Sequence, residues 1–323
     1  MSKKNLIDVF NGDADGLCAL MQWRLTYPAE ASLLSGVKRD NALLRRVDSG
    51  VGKTLLVLDI NFENNRADVA RLLADGAQIR YFDHHHPGER LQHPALTLTV
   101  DESPEVCTSL LVHQATGGAQ PAWAVAGAFG DNMPIVAGRL AEAAGFDRDA
   151  TATLRQLGEL LNYNGYGSEL ADLHFDPVVL YGVLREYGDP FAFVAAAEAY
   201  ATLRTGYQED MAAVSAVQPD TLSAGCAIYT LPDRPWARRA IGVWANALSQ
   251  QESSRAHLIF CPDGQGSYTA SVRAPQLRPY GAARFCREFP GGGGRESAGG
   301  ITGLDAAAID TVSAAFLARF AAV

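Results

Sequence analysis

The sequence predicts an α/β protein of two domains. The N-terminal domain, residues 1–190, is a parallel sheet with helices on both faces; a helical linker covers 191–221, and a smaller α/β domain with a mixed sheet covers 222–323. Three observations carry this. The 323 residues are too many for one small core and suit two domains of ordinary size. In the first half, short apolar runs alternate with helical patterns, which implies a parallel sheet. From Ser223 onward the pattern changes to strands joined by a Gly-containing loop.

Taken in order, residues 6–10 form an apolar run broken only by Asp8 and ended by Asn11-Gly12, and 17–25 reads as a helix. Residues 54–60, TLLVLDI, are a second strand, followed by a helical pattern over 67–74. A third strand over 78–82 runs straight into Asp83-His84-His85-His86. Residues 123–129 are apolar and end in Gly130-Asp131-Asn132; such a short run suits a strand or a helix. Residues 136–188 read as helices with Gly-rich breaks, and the alanine-rich 190–217 as a connecting helix. The second domain then has a strand over 226–231, a helix over 237–250, a hairpin of 257–261 with 267–273, a helix near 281–288, the glycine run 291–294 and a closing helix over 306–320.

An apolar fraction of 48% with 20% charged residues is enough to fill two cores, so disorder does not dominate. The formal net charge of -9 repels long polyanions, so any nucleic-acid substrate is expected to be short or held locally. Cys18, Cys107, Cys226, Cys261 and Cys286 are odd in number, widely spaced and without a C-x-x-C pair, which disfavours a disulfide framework or a thiolate zinc site. No signal-peptide core and no membrane-spanning apolar stretch is evident, so a cytoplasmic location without membrane association is expected.

In parallel sheets, functional loops gather beyond the carboxyl ends of the strands. Here Asp13 and Asp15 follow the first apolar run, Asp59 ends the second and Asp83 to His86 follow the third, so one rim collects them; Asp131 is placed on the same rim. The plain alternative for Asp13-Ala14-Asp15-Gly16 is an Asx turn, and for the histidines a polar surface turn. Together they point to a cation. Carboxylates about 4 Å apart repel by roughly 4 kcal/mol at an effective dielectric of 20, and a divalent ion turns that penalty into binding. Oxygen ligands with one imidazole suit Mn²⁺ or Mg²⁺ better than thiolate-seeking zinc.

The ordered set D-A-D-G at 13–16, Asp59 in LDIN, D-H-H at 83–85 and G-D at 130–131 resembles the four motifs of the DHH phosphoesterases. Ser271-Val272-Arg273 and the run 291–294 resemble the DHH-associated substrate domain of that family. The resemblance implies that Asp15, Asp59, His84 and Asp131 hold one Mn²⁺, and that Asp59 bridges to a second ion also bound by Asp13. It implies further that His85 faces the phosphate, with Asp59, His84 and His85 forming the catalytic set. Substrate contacts would come from His85, Arg273, Gly292, Gly293, Gly294 and Arg295. Two positions depart from the family pattern. Val9 stands where the first motif carries a histidine, leaving Asn11 as a substitute oxygen ligand or the second ion weakly held. Arg295 stands where a histidine follows the glycines; it grips phosphate but does not act as an acid or base.

The expected activity is hydrolysis of a phosphodiester, in a short oligonucleotide or a small or cyclic nucleotide, by metal-activated water in a cleft between the two domains. A RecJ-like single-strand exonuclease, a polyphosphate or pyrophosphate hydrolase and a catalytically weakened nucleotide sensor are the alternatives. The expected partner is a short nucleic acid or nucleotide; a homodimer is left open.

Overall fold

The computed structural model describes residues 5–321. The chain divides into two compact units, Met1–Arg204 and Thr205–Val323.

The first unit runs β1 (Leu6–Phe10), α1 (Ala14–Thr26), β2 (Ser32–Leu34), β3 (Thr54–Leu58), α2 (Phe62–Ala74), β4 (Gln78–Asp83) and β5 (Leu96–Val100). It continues with α3 (Thr108–Ala115), α4 (Pro121–Gly130), α5 (Pro134–Ala143), α6 (Arg148–Gly165), α7 (Pro177–Tyr187) and α8 (Pro190–Ala196), and the division falls inside α9 (Glu198–Ser215). The five strands form one sheet in the order β2-β1-β3-β4-β5, all parallel. Strands covered on both faces read as unbroken apolar runs, as TLLVL does. In register, Val9, Val57 and Tyr81 point to one face, packed with Phe62, Val69 and Leu72 of α2. Phe10, Leu58 and Phe82 point to the other, where Phe82 meets Trp23 of α1 at 5.5 Å and Phe10 meets Tyr181 of α7 at 5.9 Å. The polar exception, Asp8, is buried and bidentate with Arg24: Nε to Oδ2 at 2.7 Å and Nη2 to Oδ1 at 2.5 Å.

The 123–129 run is helical. Its side chains are apolar all round because α4 packs against α1, α3, α5 and α6, and small residues let the backbones close in. A Cβ on Gly158 of α6 would stand 2.1 Å from the Ala126 carbonyl oxygen. The helix expected at 67–74 begins earlier, at Phe62, because Asn61 caps it: its side-chain oxygen accepts the Asn64 amide at 2.9 Å. β2, β5 and α3 carry no expectation from the sequence. β5, LTLTV, is a partly exposed edge strand whose threonines hide it among loop residues.

The second unit contains β6 (Thr221–Leu222), β7 (Cys226–Thr230), α10 (Pro235–Gln251), β8 (Ala256–Pro262), β9 (Tyr268–Arg273), α11 (Ala282–Cys286), β10 (Gly292–Gly294), β11 (Ala298–Leu304) and α12 (Ile309–Phe320). Its mixed sheet has the order β10-β11-β9-β8-β7-β6, with β7 and β8 the parallel pair. Ile228, Leu258, Phe260 and Val272 pack with Phe285 and Phe316, while Tyr229, Ile259 and Cys261 pack with Trp244 and Ile241 of α10. The expected hairpin is present: His257 pairs with Arg273 and Cys261 with Thr269. Within the glycine run, Gly292–Gly294 form an edge strand paired antiparallel to β11. All five cysteines are free and buried, and no helix among the described residues is long and apolar enough to cross a membrane.

Candidate metal centre

The acidic and imidazole side chains converge beyond the carboxyl ends of β1, β3 and β4. Asp13 caps α1, its Oδ1 accepting the amides of Asp15 at 3.0 Å and Gly16 at 3.1 Å. Only glycine fits at 16, because a Cβ there would lie 2.2 Å from the Asn11 carbonyl oxygen. Asp15, close behind it in the first turn, reaches α3: its Oδ2 accepts the Thr108 amide at 2.7 Å and its Oδ1 the Ser109 amide at 2.6 Å. α3 has no side-chain cap of its own, so Asp15 satisfies its orphan amides and meets the positive end of its dipole.

Asp59 follows β3 with φ at 59°, a left-handed conformation uncommon outside glycine and tolerated best by Asp and Asn. Its amide donates to the Phe82 carbonyl at 3.0 Å, and its Oδ1 accepts the Thr108 hydroxyl at 3.1 Å. Asp83, fully buried at the end of β4, anchors the histidine loop. Its Oδ1 accepts the amides of His84 at 2.9 Å and His85 at 3.2 Å and bonds His85 Nδ1 at 2.7 Å; its Oδ2 accepts the Phe62 amide at 3.0 Å.

His84 Nδ1 lies 3.2 Å from the carbonyl of Val106. A carbonyl only accepts, so Nδ1 carries the hydrogen, and in the neutral ring that a metal ligand requires Nε2 is the lone pair. That lone pair faces Asp59 Oδ1 at 3.5 Å, Asp15 Oδ2 at 3.9 Å and Asp131 Oδ2 at 3.9 Å. Asp131 arrives as the C-cap of α4. Burial, then the charges of Asp15, Asp13, Asp131 and Asp83, push the Asp59 carboxyl well above its usual range. Burial and the Asp15 charge likewise raise Asp131, against the pull of Lys38.

Two sets of ligand atoms lie mutually within 4.8 Å: Asp15, His84 and Asp131, and Asp59, His84 and His85. Carboxylate oxygens and an imidazole lone pair aimed into one buried volume repel each other as they stand. The donor set fits a divalent cation with a preference for oxygen. Asp13 is in neither set; its Oδ2 is 2.5 Å from the Lys38 ammonium. Burial alone would raise its pKa, and Lys38 with the Gly16 amide outweighs burial and lowers it. The Asn11 side chain is engaged with the Lys38 carbonyl at 3.3 Å and the Asp13 amide at 3.3 Å.

In the second unit, sheet register aligns Ser271, Gly300 and Gly293 in one row. Arg273 pairs with Ala298, which closes a turn onto the exposed Arg295. Arg273 itself is partly buried, its Nε on Asn246 Oδ1 at 2.9 Å and its Nη1 on Ser271 Oγ at 3.0 Å. Sequence reasoning overlooked Val106, Thr108, Ser109 and Lys38. For α3 a signal exists, Thr108-Ser109 before LLVHQA with Gly117-Gly118 after it; for Lys38 none does.

No protein-family model and no curated protein matches the chain. Solved structures do. An exonuclease RecJ bound to manganese superposes with a TM-score of 0.65 at 17% identity, covering 98% of this chain and 91% of that one. The DHH domain of a member of a family of ribosomal proteins gives 0.63 at 15% identity, covering 98% and 86%. PggH from Vibrio cholerae, a pGpG-specific phosphodiesterase, gives 0.54 at 13% identity, covering 98% of each chain. The fold is therefore that of the DHH phosphoesterases.

Proposed function

We propose that this protein is a divalent-metal-dependent phosphoesterase of the DHH type that hydrolyses a phosphodiester in a short oligonucleotide or a small or cyclic nucleotide. The observation that carries the reading is the His84 Nε2 lone pair, held by Val106 and aimed at Asp59, Asp15 and Asp131. A divalent ion bound there supplies Lewis acidity toward a phosphoryl oxygen and lowers the pKa of water. Mn²⁺ is the proposed ion, with Mg²⁺ the alternative.

The chain's own residues orient and hold protons. Asp15 is fixed by two α3 amides, Asp59 by its constrained backbone and Thr108, and His84 by its tautomer. His85 is the proposed phosphate contact. Burial opposes its charge, but the hydrogen bond and charge of Asp83, then Asp131 and Asp13, raise its pKa. Arg273, Arg295 and the amides of Gly292, Gly293 and Gly294 are the proposed contacts to the rest of the substrate. The net charge of -9 favours a short substrate over a long single strand. The five reduced thiols suit a cytoplasmic setting.

The test is a Mn²⁺-supplemented panel of dinucleotides, cyclic dinucleotides, longer single strands and polyphosphate, with products identified by mass. Release of mononucleotides from the short substrates is expected. Nucleotide binding with no turnover of any ester would replace the enzyme with a sensor.

A further inference from the structure

Resting on the metal-dependent reading above, we infer that the centre takes one divalent ion, and that the Lys38 ammonium stands where a second cation would otherwise pair with Asp13. The first observation is that both carboxylate oxygens of Asp13 already have donors. Its Oδ1 accepts the Asp15 and Gly16 amides at 3.0 and 3.1 Å, and its Oδ2 meets Lys38 Nζ at 2.5 Å. The pair is sheltered, with side-chain exposures of 25% for Lys38 and 3% for Asp13.

Lys38 is also built in rather than draped across the surface. Its Nζ bonds Asn162 Oδ1 at 2.8 Å and lies 5.5 Å from the centre of the Tyr166 ring. Its backbone amide donates to the Gly165 carbonyl at 2.8 Å, and its carbonyl accepts from Asn11 Nδ2 at 3.3 Å. An ammonium is a compact point charge that neutralises a carboxylate without demanding a coordination shell.

The second observation is independent of the lysine. A second ion at Asp13 would find the Asp59 carboxylate beside it, but Val9, on the strand leading to it, is fully buried in the apolar core against Val57 and adds no donor. Asp13 is likewise outside both sets of converging ligand atoms. One divalent ion would answer the converging Asp15, Asp59 and Asp131, and the fixed ammonium answers Asp13.

The experiment is Mn²⁺ titration calorimetry with electron paramagnetic resonance on the full chain and on Lys38→Met, an apolar side chain of similar length. The wild type is expected to bind one Mn²⁺ per chain with an uncoupled spectrum. Lys38→Met is expected to release Asp13 and raise the stoichiometry from one to two, the second event weaker. Two spin-coupled ions in the wild type overturn the inference and leave the metal-dependent reading intact; no bound ion overturns both. A folded variant that still binds one ion removes Lys38 from the account. If the variant does not fold, the wild-type stoichiometry and spectrum decide alone.

Discussion

The backbone amide of Thr108 donates to Asp15 Oδ2 at 2.7 Å across 93 positions of sequence, and the hydroxyl of the same threonine donates to Asp59 Oδ1 at 3.1 Å. One residue at the start of α3 therefore sets the orientation of two carboxylates that follow different strands of the sheet. Thr108→Val keeps the amide and the shape and removes only the hydroxyl. We expect it to weaken Mn²⁺ binding or turnover by about 10-fold to 100-fold, as loss of a partner to a metal ligand does. Calorimetry and initial rates check this; unchanged affinity together with an unchanged rate would refute it.

Asp59→Asn isolates charge from conformation, because asparagine also accepts the left-handed backbone found at φ 59°. The variant should fold. It also relieves the repulsion that pushes the Asp59 carboxyl up, so without metal it should melt no lower than the wild type. Adding Mn²⁺ should raise the melting temperature of the wild type and not that of the variant, since only a bound ligand shifts the folding equilibrium. Turnover should fall to background. A metal-induced shift of equal size in both proteins contradicts the assignment.

Arg24 and Asp8 form a buried pair between α1 and the sheet, with side-chain exposures of 8% and 1%. Burial already raises the Asp8 pKa despite the guanidinium beside it. Arg24→Met would leave that carboxylate unpaired in the core and should cost about 3 kcal/mol in urea denaturation. Replacing both partners with apolar residues should recover most of the loss. A single variant as stable as the wild type would show that water reaches Asp8.

His257 in β8 is fully buried, and neither ring nitrogen makes a hydrogen bond of ordinary geometry, the Glu252 carboxylate standing 4.0 Å from Nε2. Burial lowers its pKa, against the opposing pull of Glu252 and with the push of Arg255 and Arg273. The unfolded chain therefore binds a proton at a higher pH than the folded one. The stability tied to neutral His257 is fully present above the ordinary histidine pKa of about 6.5, and is lost as pH falls from there toward the lowered folded value. Melting of the second unit should drop between about pH 7 and pH 5, and His257→Leu should flatten that drop. An identical pH profile in the variant would exclude His257 as the cause.

Much of this protein is legible in one dimension where the physics is local. TLLVLDI and the strand running into Asp83 announce a buried parallel sheet, and that architecture in turn brings Asp13, Asp15, Asp59 and His84 to one rim. Asp131 joins them from a helix, not a strand, because a short apolar run has no periodicity with which to choose; packing of α4 against α1 and α6 made the choice.

What only the tertiary structure decided is how those residues are partnered. A lysine in a loop looks solvated until Asp13, 25 positions earlier, and Asn162, 124 positions later, close around it. A run of glycines carries no strand signal of its own, and β11 makes it one by pairing with it. Thr108 looks like the start of a modest helix until two distant carboxylates lean on it. The sequence by itself determined which side chains carry charge and which segments are buried, because both follow from residue type and short-range pattern. Which charges meet was decided by chain closure over scores of residues, and no local preference encodes it.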